Sequence, residues 1–319
     1  MEQLEIIPRQ HVDGIHIFIN RVEYRSPHFH PDWELLWVLD TPLSITCGQQ
    51  QHRIEPGEII LFPPNYPHEF HKMERPTTFL CLQISARTFP SLAKHQTEDL
   101  RIQNYLSAEE NTQIQRAMVR IARKCWEQEP FSEPYCLGMC GLMMHGILKN
   151  APSHIMTAEE TVNMERRNAR LLRLIQFVEE NYMHKIRLAD FARQEGRSLS
   201  YMSHFVRDTM NQSFQEYVNS VRFNCARKLI ASGGDSLISI CAAAGFSDYR
   251  YFSRTFLEHY GMTPAEYRLQ AYLDPAEQVL PVQSLHSVET IYTPAQSLEI
   301  LTKFEKQISG KLTRPTGHV

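Results

Sequence analysis

The sequence predicts two domains of different class: an all-β barrel or sandwich with appended helices, then an all-α domain. Three observations predict it. Hydrophobic periodicity changes from two to helical near residue 110. A stretch of the second half overlies itself at an offset of 50 residues. Charge divides the same way, with 9 Lys/Arg against 15 Asp/Glu in residues 1–110 and 13 against 10 in residues 168–270. At 319 residues, 42% hydrophobic and 22% charged, the chain has the length for two cores and the composition of a folded soluble protein. The mildly basic second half permits a polyanion partner without requiring one.

From residue 4 to about 85 the chain reads as short strands, LEII, GIHIFINRVEY, WELLWVL, LSITC, QHRI, GEIILF and TTFLCLQI. Turn signals separate them at DTP, CGQ, EPG and PPNYP. With no helical pattern between them, an antiparallel barrel or sandwich is expected over 1–110. Residues 111–128 then place Ile114, Met118, Ile121 and Cys125 at helical spacing, and 134–149 form a second apolar helix. This segment, 111–150, would pack on the barrel or dimerise with a second copy. The polar stretch 151–167 reads as a linker.

Seven cysteines without a CxxC pair indicate neither a disulfide framework nor a cysteine zinc site, and Cys136 and Cys140 read as small buried hydrophobes. No apolar run reaches the roughly 20 residues of a membrane span, and no secretory signal opens the chain, so a cytoplasmic location is expected. GxSxG, P-loop and HExxH motifs do not occur. Within residues 271–319, SLEILTKFEKQIS could form one amphipathic helix of unassigned role.

The repeat lays residues 188–217 over 238–267. Ala192 pairs with Ala242, Tyr201 with Tyr251, Ser203 with Ser253, Glu216 with Glu266 and Tyr217 with Tyr267. Asn211 lies over Gly261, the two residue types that most readily end a helix in the left-handed conformation. Ser198 falls over Asp248 as helix caps, and SFQE over TPAE as capping boxes. Each copy is thus a helix, a tight turn and a second helix. A long helix over 214–232 joins them, with Phe214, Tyr217, Val218, Val221, Cys225, Leu229 and Ile230 as its apolar stripe.

Residues 242–268 carry Ala243, Gly245, Phe246, Tyr251, Phe252, Arg254, Phe256, Gly261, Thr263, Pro264, Tyr267 and Arg268 at fixed spacing. This pattern resembles the C-terminal signature of the AraC/XylS transcription regulators, over about 168–270. The strand-rich half resembles the cupin-like sensor domain common in that family. The fold class implied is an all-β cupin-like barrel with appended helices, followed by an all-α domain of two helix-turn-helix units joined by a long helix. In such units the second helix enters the major groove. Ser200, Tyr201, Ser203 and His204 in the first unit, and Tyr249, Arg250, Ser253 and Arg254 in the second, are therefore the DNA-binding candidates. Arg250 and Arg254 can make the paired bonds that recognise guanine. Tyr201 and Tyr251 suit core packing as well as DNA contact, and His204 stands where the family often has arginine.

In the first half, HFHPDWE puts His28, His30 and Glu34 on one face of an extended chain, and His68 follows a later turn. Cupin metal sites use these residue types in this order, and imidazole with carboxylate suits iron, manganese or zinc. Asp40, Thr41 and Pro42 occupy the turn where a cupin motif usually has glycine. The resemblance favours a pocket for a small-molecule effector, most of all a sugar or related metabolite, lined by His28, His30, Glu34 and His68. No metal and no cofactor is assigned; a metal, if bound, would use the same four. The partners implied are promoter DNA, the effector, a second copy in a homodimer, and RNA polymerase if the protein is an activator, with no membrane. The alternative is a metal-dependent cupin enzyme such as a dioxygenase with an accessory helical domain.

Overall fold

The computed structural model describes residues 12–92, 94–97, 99–127, 130–233, 235–260, 262–273 and 287–311, so the expected strand LEII and the helix end at Gly261 lie outside the described residues. Strands β1 (Ile15–His28), β2 (Trp33–Val38), β3 (Leu43–Cys47), β4 (Gln50–Ile54), β5 (Ile59–Phe62), β6 (His68–Lys72) and β7 (Thr77–Ile84) form one antiparallel sheet in the order β4-β3-β6-β1-β7-β2-β5. It is the curled, cupin-like half-barrel that the sequence implied. Strand β6 escaped the sequence reading because HEFHK has a single apolar residue, Phe70.

Both faces of the sheet are covered, which is why WELLWVL and TTFLCLQI read as nearly continuous apolar runs. Trp33, Leu35 and Trp37 on β2 face a core shared with helices α1 (Ala108–Trp126) and α2 (Ser132–Asn150). Leu36 and Val38 face the inner core with Phe62, Phe70 and Phe79. The two helices therefore pack on the sheet, one of the two placements the sequence left open. Ile114, Met118, Ile121 and Cys125 are all buried against it. All seven cysteines are buried and free, including Cys136 and Cys140.

The stretch 151–167 is not an unstructured linker. It contains β9 (Ser153–Ile155), paired with β8 (His95–Thr97), and the start of α3 (Ala158–Asn181). Thr157 and Glu160 form a capping box that nucleates this helix, and its polar composition is that of a solvated helix face. The helical domain thus begins earlier than residue 168.

The repeat folds as its caps require. Helices α4 (Leu188–Gln194) and α5 (Leu199–Met210) form the first unit, α6 (Phe214–Ser232) the connection, and α7 (Leu237–Ala243) and α8 (Tyr249–Tyr260) the second unit, followed by α9 (Pro264–Leu273). Ser198 accepts the Tyr201 N–H and Asp248 that of Tyr251. Ser213 with Glu216 and Thr263 with Glu266 close the two capping boxes. Helix α5 ends at Asn211, whose φ of 51° is left-handed. Phe191, Met202, Tyr217, Val221, Phe246, Phe252 and Phe256 share one core. At Gly245, φ is 85°, and a Cβ there would stand 2.6 Å from the Tyr182 carbonyl oxygen and 2.8 Å from Met183 Cα. Only glycine lets the second unit's turn approach the end of α3 so closely.

The chain then returns. Strand β10 (Ser287–Ile291) pairs antiparallel with β1, making the sheet eight-stranded, and α10 (Pro294–Lys311) packs on α1, where Glu305 pairs with Arg123. Leu301 is fully buried in the core that holds Trp33. The helical domain is therefore inserted between two parts of the sheet domain. Replacing Leu301 by Ala should cost about 2–5 kcal/mol in urea unfolding, as a cavity in a close-packed core does. A cost below about 0.5 kcal/mol, the size of an ordinary surface change, would show that the tail does not complete this core.

Candidate functional site

On the inner face of the sheet, β1, β2, β6 and β7 bring four of the predicted residues together. His30 and Glu34 lie four apart across the turn into β2, and Nε2 of His30 is 2.8 Å from Glu34 Oε2. His68, at the start of β6, places Nε2 at 3.8 Å from Glu34 Oε1. Donor atoms of His30, Glu34 and His68 all fall within 4.8 Å of one another. His28 is not in this set of three; its ring stands edge-on to His68 with centroids 4.2 Å apart. Phe62 stacks on the other side of His68 at 4.1 Å.

The histidine orientations are set by the backbone. Nδ1 of His28 bonds the Ser26 carbonyl at 2.9 Å, that of His30 the Asp32 carbonyl at 3.0 Å, and that of His68 the Tyr66 carbonyl at 2.8 Å. A carbonyl only accepts, so each Nδ1 carries the proton. Burial pushes His68 down to about 4 although the Glu34 carboxylate pulls the other way. Burial also holds His28 well below its ordinary value, reinforced by Arg25 and the neighbouring rings. Burial opposes the Glu34 charge, yet His30, His68 and a hydrogen bond from Gln83 outweigh it and hold the carboxyl well below the usual range. Gln83 Nε2 donates to Glu34 Oε2 at 2.9 Å from the directly opposed position on β7. The sequence reading missed Gln83; its signal was an amide in the apolar run TTFLCLQI.

This cluster abuts the helical domain. Phe29, between the two histidines, packs against the helical core. The Asn65 N–H donates to the His30 carbonyl at 2.7 Å, and the Asn65 carbonyl accepts from the buried Asn168 side chain of α3 at 2.7 Å. The β3–β4 turn meets the end of α5 through Gln49 and Asp208, 2.5 Å apart. Glu23 on β1 takes Arg227 of α6 at 3.0 Å and Lys72 at 2.6 Å.

The other predicted surface faces outward. Ser200, Tyr201, Ser203 and His204 on α5 are exposed, as are Arg250 and Arg254 on α8, while Tyr249 and Ser253 are half-buried. Tyr201 and Tyr251 are 43% and 41% exposed beside the sealed Met202 and Phe252, so they lie on the surface and not in the core. Arg170 and Arg197 lie over the Tyr201 ring at 5.4 Å each, and Arg170 donates to its hydroxyl at 2.8 Å. These two arginines, from α3 and the turn before α5, were not singled out in the sequence. Arg254 sits 5.9 Å over Tyr251 and 3.9 Å from Glu258, an exposed contact weak enough to yield to a base edge.

Residues 14–133 match the profile of an AraC-like ligand binding domain and residues 191–270 that of a helix-turn-helix domain. The chain belongs to the AraC family. Within that family it is 20% identical over 248 residues to the Msm operon regulatory protein of Streptococcus mutans, covering 76% of this chain and 86% of that protein. It is 32% identical over 97 residues to the virulence regulon transcriptional activator VirF of Yersinia enterocolitica. That match covers 30% of this chain and spans only 36% of the length of VirF, as it does of the thermoregulatory protein LcrF of Yersinia pestis. The crystal structure of ToxT from Vibrio cholerae is 14% identical, with 80% of this chain and 97% of that one covered at a TM-score of 0.39.

Glu23 makes the contact between the two domains pH-dependent. Burial raises its carboxyl, but Arg227 and Lys72 outweigh burial and hold it below its ordinary value of 4.5. A depressed carboxylate contributes stability that is present above 4.5 and lost as pH falls through the folded value. Urea unfolding of the wild type and Glu23→Gln, from about pH 3 to 7, should therefore show a stability difference that is full at neutral pH and shrinks in acid. A difference constant with pH would contradict the pairing.

Proposed function

We propose that the protein is a DNA-binding transcription regulator, in which the two helix-turn-helix units read promoter DNA and the sheet domain binds a small effector at His28, His30, Glu34 and His68. One observation supports this most: in both units the second helix seals an apolar stripe, Met202, Phe205 and Val206 in the first and Phe252 and Phe256 in the second, in a common core, while Ser200, Ser203, His204, Arg250 and Arg254 stand in solvent. That division is what groove entry needs. An effector acts only if it binds two conformations with different affinity, and the contacts of Phe29 and of Asn65 with Asn168 give its site a path to the reading helices.

A sugar or related metabolite is the effector of the sheet domain, with the histidine-lined face as the contact surface. Activation, with RNA polymerase as partner, is supported by the name of the VirF relative. A homodimer is supported by α2, where Leu142 is 72% exposed beside a cavity of about 370 Å³ between α1 and α2. The relatives named above are regulators, which favours this reading over a cupin enzyme.

Selection of duplexes from a random-sequence pool tests DNA reading directly, since the pool contains every short operator. The wild type should enrich a defined motif. Arg254→Ala should keep the fold and lose about 1–3 kcal/mol of discrimination at its base, the size of one paired arginine–guanine contact. Full preference in Arg254→Ala would show that α8 does not enter the groove as assigned.

A further inference from the structure

We propose that Arg197, in the turn of the first helix-turn-helix unit, contacts a DNA backbone phosphate, with the Tyr201 ring as the platform that holds its guanidinium beside the groove. In this role, which rests on the DNA reading above, the first unit grips the backbone while the second reads the bases.

The two units are unequal where the repeat should make them match. At the offset of 50 residues, Ser200 and His204 of α5 lie over Arg250 and Arg254 of α8. The first reading helix therefore has no arginine at its four groove-facing candidates, while the second has two. Geometry restores one from outside the helix. In the second unit the guanidinium of Arg254 lies 5.9 Å over the Tyr251 ring, whose hydroxyl accepts from Asn219 of α6 at 3.4 Å. In the first, Arg197 lies 5.4 Å over the equivalent ring, Tyr201, whose hydroxyl accepts from Arg170 of α3 at 2.8 Å. Each unit thus ties an exposed tyrosine to the long helix before it and sets a guanidinium over the ring.

Arg197 is the cation of this group that is left for DNA. Arg170 and Arg173 both pair with Glu195, at 3.1 and 2.6 Å, and the Arg170 side chain is only 13% exposed. Arg193 pairs with Asp190. Arg197 is exposed and, among the described residues, has no carboxylate within ion-pair distance. Its backbone is fixed on both sides. Gly196 before it takes a left-handed φ of 61°, the Arg197 N–H donates to the Ala192 carbonyl at 2.9 Å, and Ser198 after it caps α5. A residue in that turn stands at the edge of the groove, where phosphates lie, and not on the helix face that enters. A guanidinium forms two charge-assisted bonds to a phosphate, and a ring already beneath it reduces the freedom lost on binding.

The test uses the full chain with two duplexes, the one enriched by selection and one of unrelated sequence, and follows the dissociation constant from about 50 to 200 mM salt. Losing one phosphate contact reduces the slope of log affinity against log salt by about 0.9. Arg197→Ala should therefore bind both duplexes more weakly by the same factor, and that deficit should shrink about 3.5-fold across the salt range. The enriched motif should not change. Arg197→Lys keeps the charge and should restore the wild-type slope, and Arg53→Ala, at an exposed arginine of the sheet domain, should retain it. Tyr201→Leu should weaken binding to both duplexes, and Arg197→Ala should cost less in that background than alone. A wild-type slope in Arg197→Ala, a motif altered with the slope unchanged, or a slope in Arg197→Lys as low as in Arg197→Ala each overturns the phosphate contact. Full additivity of the Tyr201 and Arg197 changes overturns the platform. A wild type that enriches no motif refutes the regulator itself, whereas a motif with an unaffected Arg197→Ala refutes only this contact.

Discussion

The end of β1 has to satisfy two cores at once, and the rest of the molecule is arranged around that demand. His28 and His30 turn into the sheet's inner face, where burial strips them of water and leaves the Glu34 carboxylate and backbone carbonyls as partners. Phe29 between them packs on the helical core. Neighbouring side chains on an extended chain point to opposite sides, so this split follows from backbone geometry alone. Asn65 makes a second link beside it, from the His30 carbonyl to the Asn168 side chain.

Topology limits how the two domains can move. The helical domain leaves the sheet domain after β9 and its chain comes back as β10 on β1. One attachment leaves the two-stranded β8–β9 sheet and the other joins the eight-stranded sheet at β1, the strand that also carries His28 and the Glu23 contact to Arg227. A domain held at two points shifts by small sliding or rotation more readily than by wide separation. Gln49 with Asp208 is one of the polar contacts across which such sliding would occur.

How much of this was legible in the sequence depends on how local each signal is. The helix-turn-helix units were readable because caps, capping boxes and the left-handed Asn211 act within four residues, and the repeat printed them twice. Strand alternation likewise sets Glu34 on the face opposite Trp33 and Trp37, and the structure puts the tryptophans on the helix-covered face. Gln83 opposite Glu34, Asn168 against Asn65 and Leu301 beneath Trp33 depend on register and on long-range packing, which no local pattern encodes. Residues 151–167 misled for a different reason: a helix exposed on most of its surface has the composition of a linker, and only its capping box shows what it is.

The histidine cluster and the helical core meet at Phe29. Amide hydrogen exchange of the full chain, wild type against Phe29→Ala, measures how far this contact supports both domains. Exchange should be faster both around Glu34 and His68 and in α3 and α5, because one side chain supports both sides of the contact. Faster exchange confined to the sheet domain, with α3 and α5 protected as in the wild type, would contradict it.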